Sequence, residues 1–133
     1  MPDDQEWTRE LLRSVMDPSL NEKALNDLYI FGHSDLYERC RKLEIHKEYP
    51  FYFEDESARI NGTIDLAAVS EKKIIIIDFK TDRMTPAEIA EEYSPQLNTY
   101  RSVMASFYPD ADIELYAWSF YNGTAVPIEK AGN

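Results

Sequence analysis

Four consecutive isoleucines, Ile74–Ile77, constrain the fold of this chain more than any other feature. An uninterrupted apolar run predicts a strand that is buried on both faces, and therefore one in the centre of a sheet. The run continues into Asp78-Phe79-Lys80. Because side chains alternate along a strand, Asp78 and Lys80 are predicted to share one face. Two opposite charges at the end of such a strand are costly to desolvate unless another group compensates them.

The other elements are predicted from periodicity, caps and turns. Helices are expected over residues 5–16, from the Ser19 cap to 31 and over 34–41; strands are expected over 45–53, with an irregularity at Pro50, and over 58–69 and 72–80. A helix starts at Thr85-Pro86 and runs to about Phe107, with a break or kink at Ser94-Pro95. Strands over 113–120 and 125–129, the latter at an edge, complete the order ααα-βββ-α-ββ. This order predicts an α/β (α+β) fold with one central mixed sheet flanked by helices.

Length and charge limit the class of protein. The 133 residues suit one domain, and the formal charge of −11 argues against a simple nucleic-acid coat protein. The acidity is compatible with an enzyme that acts on DNA, because carboxylates can bind phosphate through a divalent metal. The single cysteine excludes an intrachain disulfide framework. No apolar run is long enough to span a membrane and no secretory signal is present, so we expect a cytoplasmic protein without a membrane partner.

A second acid is predicted to lie near Asp78. Asp65 belongs to the preceding strand, and a tight hairpin at Ser70-Glu71 folds the two strands together, so that Asp65 comes near Asp78 within one or two residues of register. Two adjacent carboxylates repel each other unless one is protonated or a cation lies between them, and Mg²⁺ is the natural cation. Lys80 can then stabilise an incoming hydroxide or the charge developing on a phosphate. The simpler interpretation is a solvated ion pair and a polar residue close to a turn.

Four motifs together resemble a known family. Lys47–Phe51 is similar to an "E-x-P-F" strand, Gly62–Leu66 to "G-x-x-D-L", Asp78–Asp82 to "D-[YF]-K-T-D", and Tyr93–Tyr100 to a "Y-x-x-Q-L-x-x-Y" helix. These motifs, in this order, resemble the PD-(D/E)XK nuclease superfamily, and in particular the RecB-like nuclease domain at the C-terminus of bacterial helicase–nucleases such as AddA. The resemblance covers about residues 28–130 and implies a restriction-endonuclease-like core.

The resemblance implies a role for each matching residue. Asp65, Asp78 and the backbone carbonyl of Phe79 are expected to hold Mg²⁺, for which Mn²⁺ substitutes, and Lys80 is the expected catalytic lysine. Gln96 and Tyr100, which taken alone suggest only a solvent-facing amide and a packing ring, are expected to line the active site and contact DNA. A supporting position is expected for Glu48.

The same resemblance implies a metal-dependent DNA exonuclease or endonuclease that acts in recombination or repair. Its partners are DNA, as single strands or linear ends, the helicase domains of a parent chain, and a partner subunit. The family has a His ligand on an upstream helix, and neither His33 nor His46 matches it. We therefore expect a C-terminal piece of a larger protein, with weak metal binding and weak activity, in which residues 1–42 form a helical segment packed on a nuclease core over residues 43–133.

Three alternatives stay open from the sequence. The first is a catalytically impaired nuclease fold that serves DNA binding or protein interaction. The second is an acidic protein-interaction domain that binds a basic partner, in which Asp65 and Asp78 lie far apart. The third is a hydrolase that uses a carboxylate pair on sugars, in which Lys80 has no clear role.

Overall fold

The structure is a computed structural model that describes residues 22–54 and 59–130. Along the chain, two helices precede three strands, and a long helix separates these from two further strands. Their bounds are α1 Glu22–Gly32, α2 Asp35–Cys40, β1 Glu44–Glu54, β2 Arg59–Val69, β3 Lys73–Lys80, α3 Pro86–Phe107, β4 Asp112–Ser119 and β5 Thr124–Ile128. The helix predicted over 5–16, the Ser19 cap and the turn predicted at residues 55–57 lie outside the described residues.

The five strands form one sheet in the order β1-β2-β3-β4-β5. The β3–β4 pair is parallel, whereas the other three neighbouring pairs are antiparallel. The predicted mixed central sheet is therefore confirmed, with the isoleucine strand in its centre. All four isoleucines of Ile74–Ile77 are at most 1% exposed, as expected for a strand covered on both faces. The strand with Pro127 lies at an edge, as predicted.

Helices cover both faces of the sheet and form two apolar clusters with it. On one face, α3 contributes Ile89 and Leu97 to a cluster with Ile74 and Ile76. On the other face, residues of α1 and α2 pack against Ile75, Ile77 and Trp118; these helix residues are Leu25, Phe31, Leu36, Tyr37 and Cys40. The alternation of the isoleucines between the two clusters follows from the period of two along a strand. None of the helices within 22–54 and 59–130 combines the length and apolar character needed to cross a bilayer.

Polar contacts also join α2 to the sheet. The Arg39 guanidinium donates two hydrogen bonds to the Glu114 carboxylate, at 2.6 and 2.7 Å, and a third to the Tyr116 hydroxyl at 3.1 Å. Lys73 forms an ion pair with the same carboxylate. Although burial opposes ionisation, these hydrogen bonds lower the pKa of Glu114 to about 2. The second helix is therefore held on the sheet by a charged network as well as by apolar packing.

The long helix α3 begins as predicted but is not broken where we expected. The Thr85 hydroxyl accepts a hydrogen bond from the Glu88 N–H, and the Glu88 carboxylate accepts one from the Thr85 N–H, forming the predicted capping box. The expectation of a break at Ser94-Pro95 is wrong, because one helix runs through Pro95. Ile89 before the proline and Leu97 after it are both fully buried in one cluster, and this packing offsets the lost backbone hydrogen bond.

The first strand is irregular at Glu48 rather than at Pro50. Glu48 has a positive φ of 51°, whereas Pro50 pairs with Thr63 in the regular ladder of this edge strand. Because a left-handed residue reverses the side on which the following residues point, Ile45 packs in the cluster beneath α1 and α2, but Tyr49 packs in the cluster beneath α3. The prediction that these two residues lie on one side of the strand is therefore wrong.

Candidate active site

The candidate site lies where two strands of the sheet diverge. The ladder between β2 and β3 extends only from Val69↔Ile74 to Leu66↔Ile77. Beyond that point β2 continues to pair with β1, and β3 continues to pair with β4 as far as Lys80↔Ser119. One further step of the β2–β3 register sets Asp65 against Asp78. The two acids therefore stand at the fork itself.

The Asp65 side chain replaces a backbone partner at this fork. Its Oδ2 atom accepts a hydrogen bond of 2.9 Å from the backbone N–H of Phe79. This N–H belongs to the part of β3 that β2 no longer pairs, so the carboxylate supplies an acceptor where the ladder has stopped. Asp65 is thereby oriented toward β3, and the two acids that the hairpin was predicted to bring together are adjacent.

Asp78 is buried, with 4% of its surface exposed. Its Oδ2 atom lies 2.7 Å from Lys80 Nζ, but this ion pair lacks the alignment of a hydrogen bond. Within the described ranges, the buried oxygen accepts no hydrogen bond. A buried carboxylate oxygen without a donor is unfavourable in a folded protein and requires compensation.

The proton affinity of Asp78 reflects this environment. Burial raises the pKa of Asp78 to about 6, Lys80 opposes the rise, and the neighbouring Asp65 carboxyl adds to it. Burial outweighs the lysine because desolvation disfavours the charged form. Close like charges act in the same direction. A perturbed carboxyl in contact with a second carboxyl and a lysine is typical of a functional site.

Lys80 connects the two acids to α3. Its Nζ atom donates a hydrogen bond of 3.2 Å to Gln96 Oε1, and the Gln96 amide nitrogen donates one of 3.1 Å to the Tyr100 hydroxyl. Gln96 and Tyr100 lie one helical turn apart, so both reach the same end of the sheet. The structure therefore joins Asp65, Asp78 and Lys80 to Gln96 and Tyr100 in one contiguous group.

Tyr93 and Asp82 also belong to this group, although neither was assigned a role from the sequence. The Lys80 ammonium lies 3.9 Å from the centroid of the Tyr93 ring, within the range of a cation–π interaction. The Tyr93 hydroxyl donates a hydrogen bond of 2.8 Å to Asp82 Oδ2. This bond raises the pKa of Tyr93 and fixes the orientation of its ring. The spacing of Tyr93 and Gln96, almost one helical turn, is the signal that pointed to a shared face.

A second layer of residues supports Tyr100. The ring of Phe51 on β1 packs edge-on against the Tyr100 ring, with 5.5 Å between the centroids. Gly62 of β2 pairs with Phe51, and a Cβ atom at Gly62 would come within 3.1 Å of Phe51 Cζ. The glycine therefore leaves the space that this ring occupies.

The remaining predicted residues are not drawn into contact with the acids. The Glu48 side chain is exposed, and no group of three or more His, Cys, Asp or Glu side chains suited to a metal occurs in the parts of the chain that the structure describes. His33 contacts the Tyr29 carbonyl, and His46 contacts Glu44. The carbonyl of Phe79 stays a prediction.

Known proteins resemble this chain over most of its length. The A-type component of the ATP-dependent helicase/nuclease of Anoxybacillus flavithermus is 26% identical over 134 residues, which cover 93% of this chain and 10% of the relative. The same component from Clostridium beijerinckii is 29% identical over 142 residues, which cover 88% and 11%. That of Thermoanaerobacter sp. is 28% identical over 108 residues, which cover 79% and 9%. The chain thus spans about a tenth of the length of these relatives.

The family comparison agrees with the fold. The PD-(D/E)XK nuclease superfamily matches residues 3–130. The mixed five-stranded sheet, covered by helices on both faces, is consistent with a restriction-endonuclease-like core. Because the match covers nearly the whole chain and the relatives are components of helicase/nucleases, the chain belongs to the PD-(D/E)XK nuclease superfamily, in its RecB-like branch.

Proposed function

We propose that this chain is a metal-dependent deoxyribonuclease domain that hydrolyses DNA phosphodiester bonds with Mg²⁺, for which Mn²⁺ substitutes. The observation that carries the proposal is the buried Asp78 oxygen without a hydrogen-bond donor, beside Asp65 and Lys80. Such an arrangement is unfavourable for folding alone, and a divalent cation together with a phosphate compensates it. The family match independently supports a nuclease.

The residues present fit a hard divalent cation. Mg²⁺ is commonly held by one or two carboxylates together with water and substrate phosphate oxygens, and the fork offers two carboxylates. Asp78 would bind through the oxygen that has no donor, and Asp65 through the oxygen that does not accept from the Phe79 N–H. The Phe79 carbonyl is proposed as a third ligand. When bound, the cation supplies Lewis-acid stabilisation of negative charge on the phosphate.

Lys80 is the proposed catalytic lysine. Hydrolysis adds water across one P–O bond and leaves one phosphate end and one hydroxyl end. As an ammonium already adjacent to Asp78, Lys80 can donate a hydrogen bond that orients the attacking water or stabilises the charge building on phosphorus-bound oxygens. Its side chain is 15% exposed, so little water screens this charge.

The helix α3 positions the lysine. Gln96 accepts one Lys80 N–H, and the Tyr93 ring lies against the ammonium, so the side chain is held from two sides. Gln96 and Tyr100 are also proposed to contact the DNA backbone at the mouth of the site. Their hydrogen bond to each other keeps both polar groups at the end of the sheet.

The larger assembly is proposed from the relatives. We infer a parent ATP-dependent helicase–nuclease, with residues 43–133 as the nuclease core and residues 1–42 packed on it. Its helicase domains and a partner subunit would deliver single strands or linear ends to the site, and it would act as an exonuclease in recombination or repair in the cytoplasm. A basic channel in the parent would explain how a domain of charge −11 meets a polyanion.

The proposal is tested on linear single-stranded and double-stranded DNA with Mg²⁺ or Mn²⁺. Lys80→Met and Asp78→Asn are expected to lower the cleavage rate by about 100-fold or more, as for other residues that stabilise charge at a reacting centre. Lys72→Gln, which changes an exposed lysine just before the opposite end of the same strand, is the matched control. Equal rates for the wild type and both site variants would reject the assignment.

The alternative is an impaired nuclease fold that serves DNA binding or protein interaction. One observation favours it: in the described part of the chain, the site contains two acidic ligands and no third. DNA binding by the wild-type chain without cleavage in either metal, and no change of its melting temperature on adding Mn²⁺, would support this alternative against the enzyme.

A further inference from the structure

A small cleft opens beside the candidate active site, on the side of the sheet that faces α1. It has a volume of about 270 Å³ and is lined by Lys23, Asp27, Thr81, Arg83, Phe120 and Tyr121. We call it the Arg83 cleft. Its walls come from α1, from the loop between β3 and α3, and from the turn between β4 and β5.

The Arg83 cleft is directly connected to the catalytic lysine. Thr81 follows Lys80 in the chain, and the Phe120 N–H donates a hydrogen bond of 3.0 Å to the Lys80 carbonyl. Consecutive Cα atoms are about 3.8 Å apart, so the Arg83 Cα lies within about 11 Å of that of Lys80. A strand bound with one phosphate at Lys80 can therefore reach the cleft with a neighbouring nucleotide.

The two loops of the cleft are held together as one unit. The Asn122 side-chain amide donates a hydrogen bond of 2.7 Å to the Met84 carbonyl, and a second of 2.9 Å to Ser119 Oγ. The Phe120 ring packs on the Phe79 ring, with 5.4 Å between the centroids. The cleft is therefore built before any ligand arrives, which lowers the entropy cost of binding.

The chemistry of the lining suits a base and a phosphate. Tyr121 is 59% exposed, so its ring is available for stacking. Lys23 is paired with Asp27 at 2.9 Å, but Arg83 makes no ion pair or hydrogen bond with any residue in 22–54 and 59–130. In a chain of charge −11, a cation without a local acid is unusual, and next to an exposed ring it matches the combination used for single strands.

We propose that the Arg83 cleft binds one nucleotide of single-stranded DNA, with the base stacked on Tyr121 and the phosphate on Arg83. The inference rests on the proposed nuclease function and specifies its substrate as a single strand at the point of cleavage. A duplex is a poor fit, because its bases are stacked on each other and are not available to the tyrosine ring.

The test measures binding of the full chain to a short fluorescein-labelled oligothymidylate by fluorescence anisotropy in EDTA, where no cleavage is needed. Tyr121→Ala is expected to raise Kd by about fivefold or more, the lower limit for one stacked base. Arg83→Gln is expected to reduce the slope of log Kd against log salt by about 0.7, the value for one phosphate contact on a single strand. Melting temperatures establish that each variant is folded.

Two controls make the result specific. Phe107→Ala and Lys72→Gln remove an exposed ring and an exposed lysine at the far end of the sheet, and both should bind as the wild type does. On a strand of abasic residues, Tyr121→Ala should have no effect. An unchanged Kd for Tyr121→Ala, an unchanged salt slope for Arg83→Gln, an equal loss in the controls or on the abasic strand, or an equal loss for a blunt duplex would overturn the inference. Because binding is measured without metal, absence of cleavage by the wild type would count against the proposed function alone.

Discussion

Replacing Asp78 by asparagine is expected to stabilise the protein while it abolishes cleavage. In the folded state, burial and the Asp65 carboxyl raise the pKa of Asp78 from 3.8 to about 6. Between these two pH values the folded state therefore binds more protons than the unfolded chain. Stability consequently falls as the pH rises through this range, which is the reverse of the usual behaviour of a salt-bridged aspartate. Asparagine stays neutral throughout and avoids the loss.

The size of the effect follows from the same pKa. A difference of about two pKa units at 1.36 kcal/mol each gives a cost of about 3 kcal/mol for ionising Asp78 in the folded protein. Asp78 is 4% exposed, so little solvent screening reduces this figure. For a domain of this size, 1 kcal/mol corresponds to about 3–4 °C in melting temperature. We therefore expect Asp78→Asn to melt up to about 10 °C higher than the wild type near neutral pH.

The assay is a pair of thermal melts in EDTA at about pH 7.5 and about pH 4. The difference between Asp78→Asn and the wild type should be large at the higher pH and should shrink toward zero at the lower, because the wild-type carboxyl is then protonated in the folded state. Adding Mg²⁺ at the higher pH should raise the melting temperature of the wild type and leave that of the variant nearly unchanged, because a ligand stabilises only the state that binds it.

Asp110→Asn is the matched control, because Asp110 is an exposed aspartate near the end of α3 that is distant in sequence from the fork. It should change the melting temperature little at either pH. A variant Asp78→Asn that is less stable than the wild type at about pH 7.5, or a difference that does not depend on pH, would refute the reasoning. It would mean that the Lys80 ion pair, rather than burial, dominates the energy of this carboxylate.

Two further predictions concern the support of the site. Tyr93→Leu removes the ring against the Lys80 ammonium and should lower kcat by about tenfold, within the range of a partly buried cation–π contact, whereas Tyr93→Phe keeps the ring and should cost much less; a rise of KM alone in both would contradict this. Gly62→Ala places a methyl group against the Phe51 ring and should destabilise the fold by about 1 kcal/mol, measured by urea unfolding, and lower kcat because that ring supports Tyr100; an unchanged kcat would confine the glycine to folding.

The parts of the fold that the sequence predicted are those fixed by local chemistry. The isoleucine run identified the central strand because four adjacent apolar residues can be satisfied only between two covered faces. The hairpin at Ser70-Glu71 was short enough to determine the register, which set Asp65 near Asp78 without knowledge of the rest of the fold. The capping box at Thr85 was equally local.

The parts that the sequence did not predict depend on tertiary contacts. Pro95 is tolerated within α3 because the helix is buried on both sides of it, and no local signal reports that burial. Glu48 adopts a left-handed conformation without being a glycine, and nothing in its neighbours indicates this strain. The contact of Tyr93 with Lys80 depends on how the helix is rotated over the sheet, which the helical period alone does not determine.

The divergence of β2 and β3 explains why two similar aspartates have different properties. Asp65 satisfies a backbone N–H that would otherwise lack an acceptor at the fork, so it contributes to the fold as well as to the site. Asp78, one register step across, faces no such donor, and its Oδ2 atom is left for a ligand. Loss of the Asp65 carboxylate should therefore destabilise the fork, whereas loss of the Asp78 charge should relieve strain. The opposite signs distinguish a carboxylate used by the fold from one whose cost in folding only function explains.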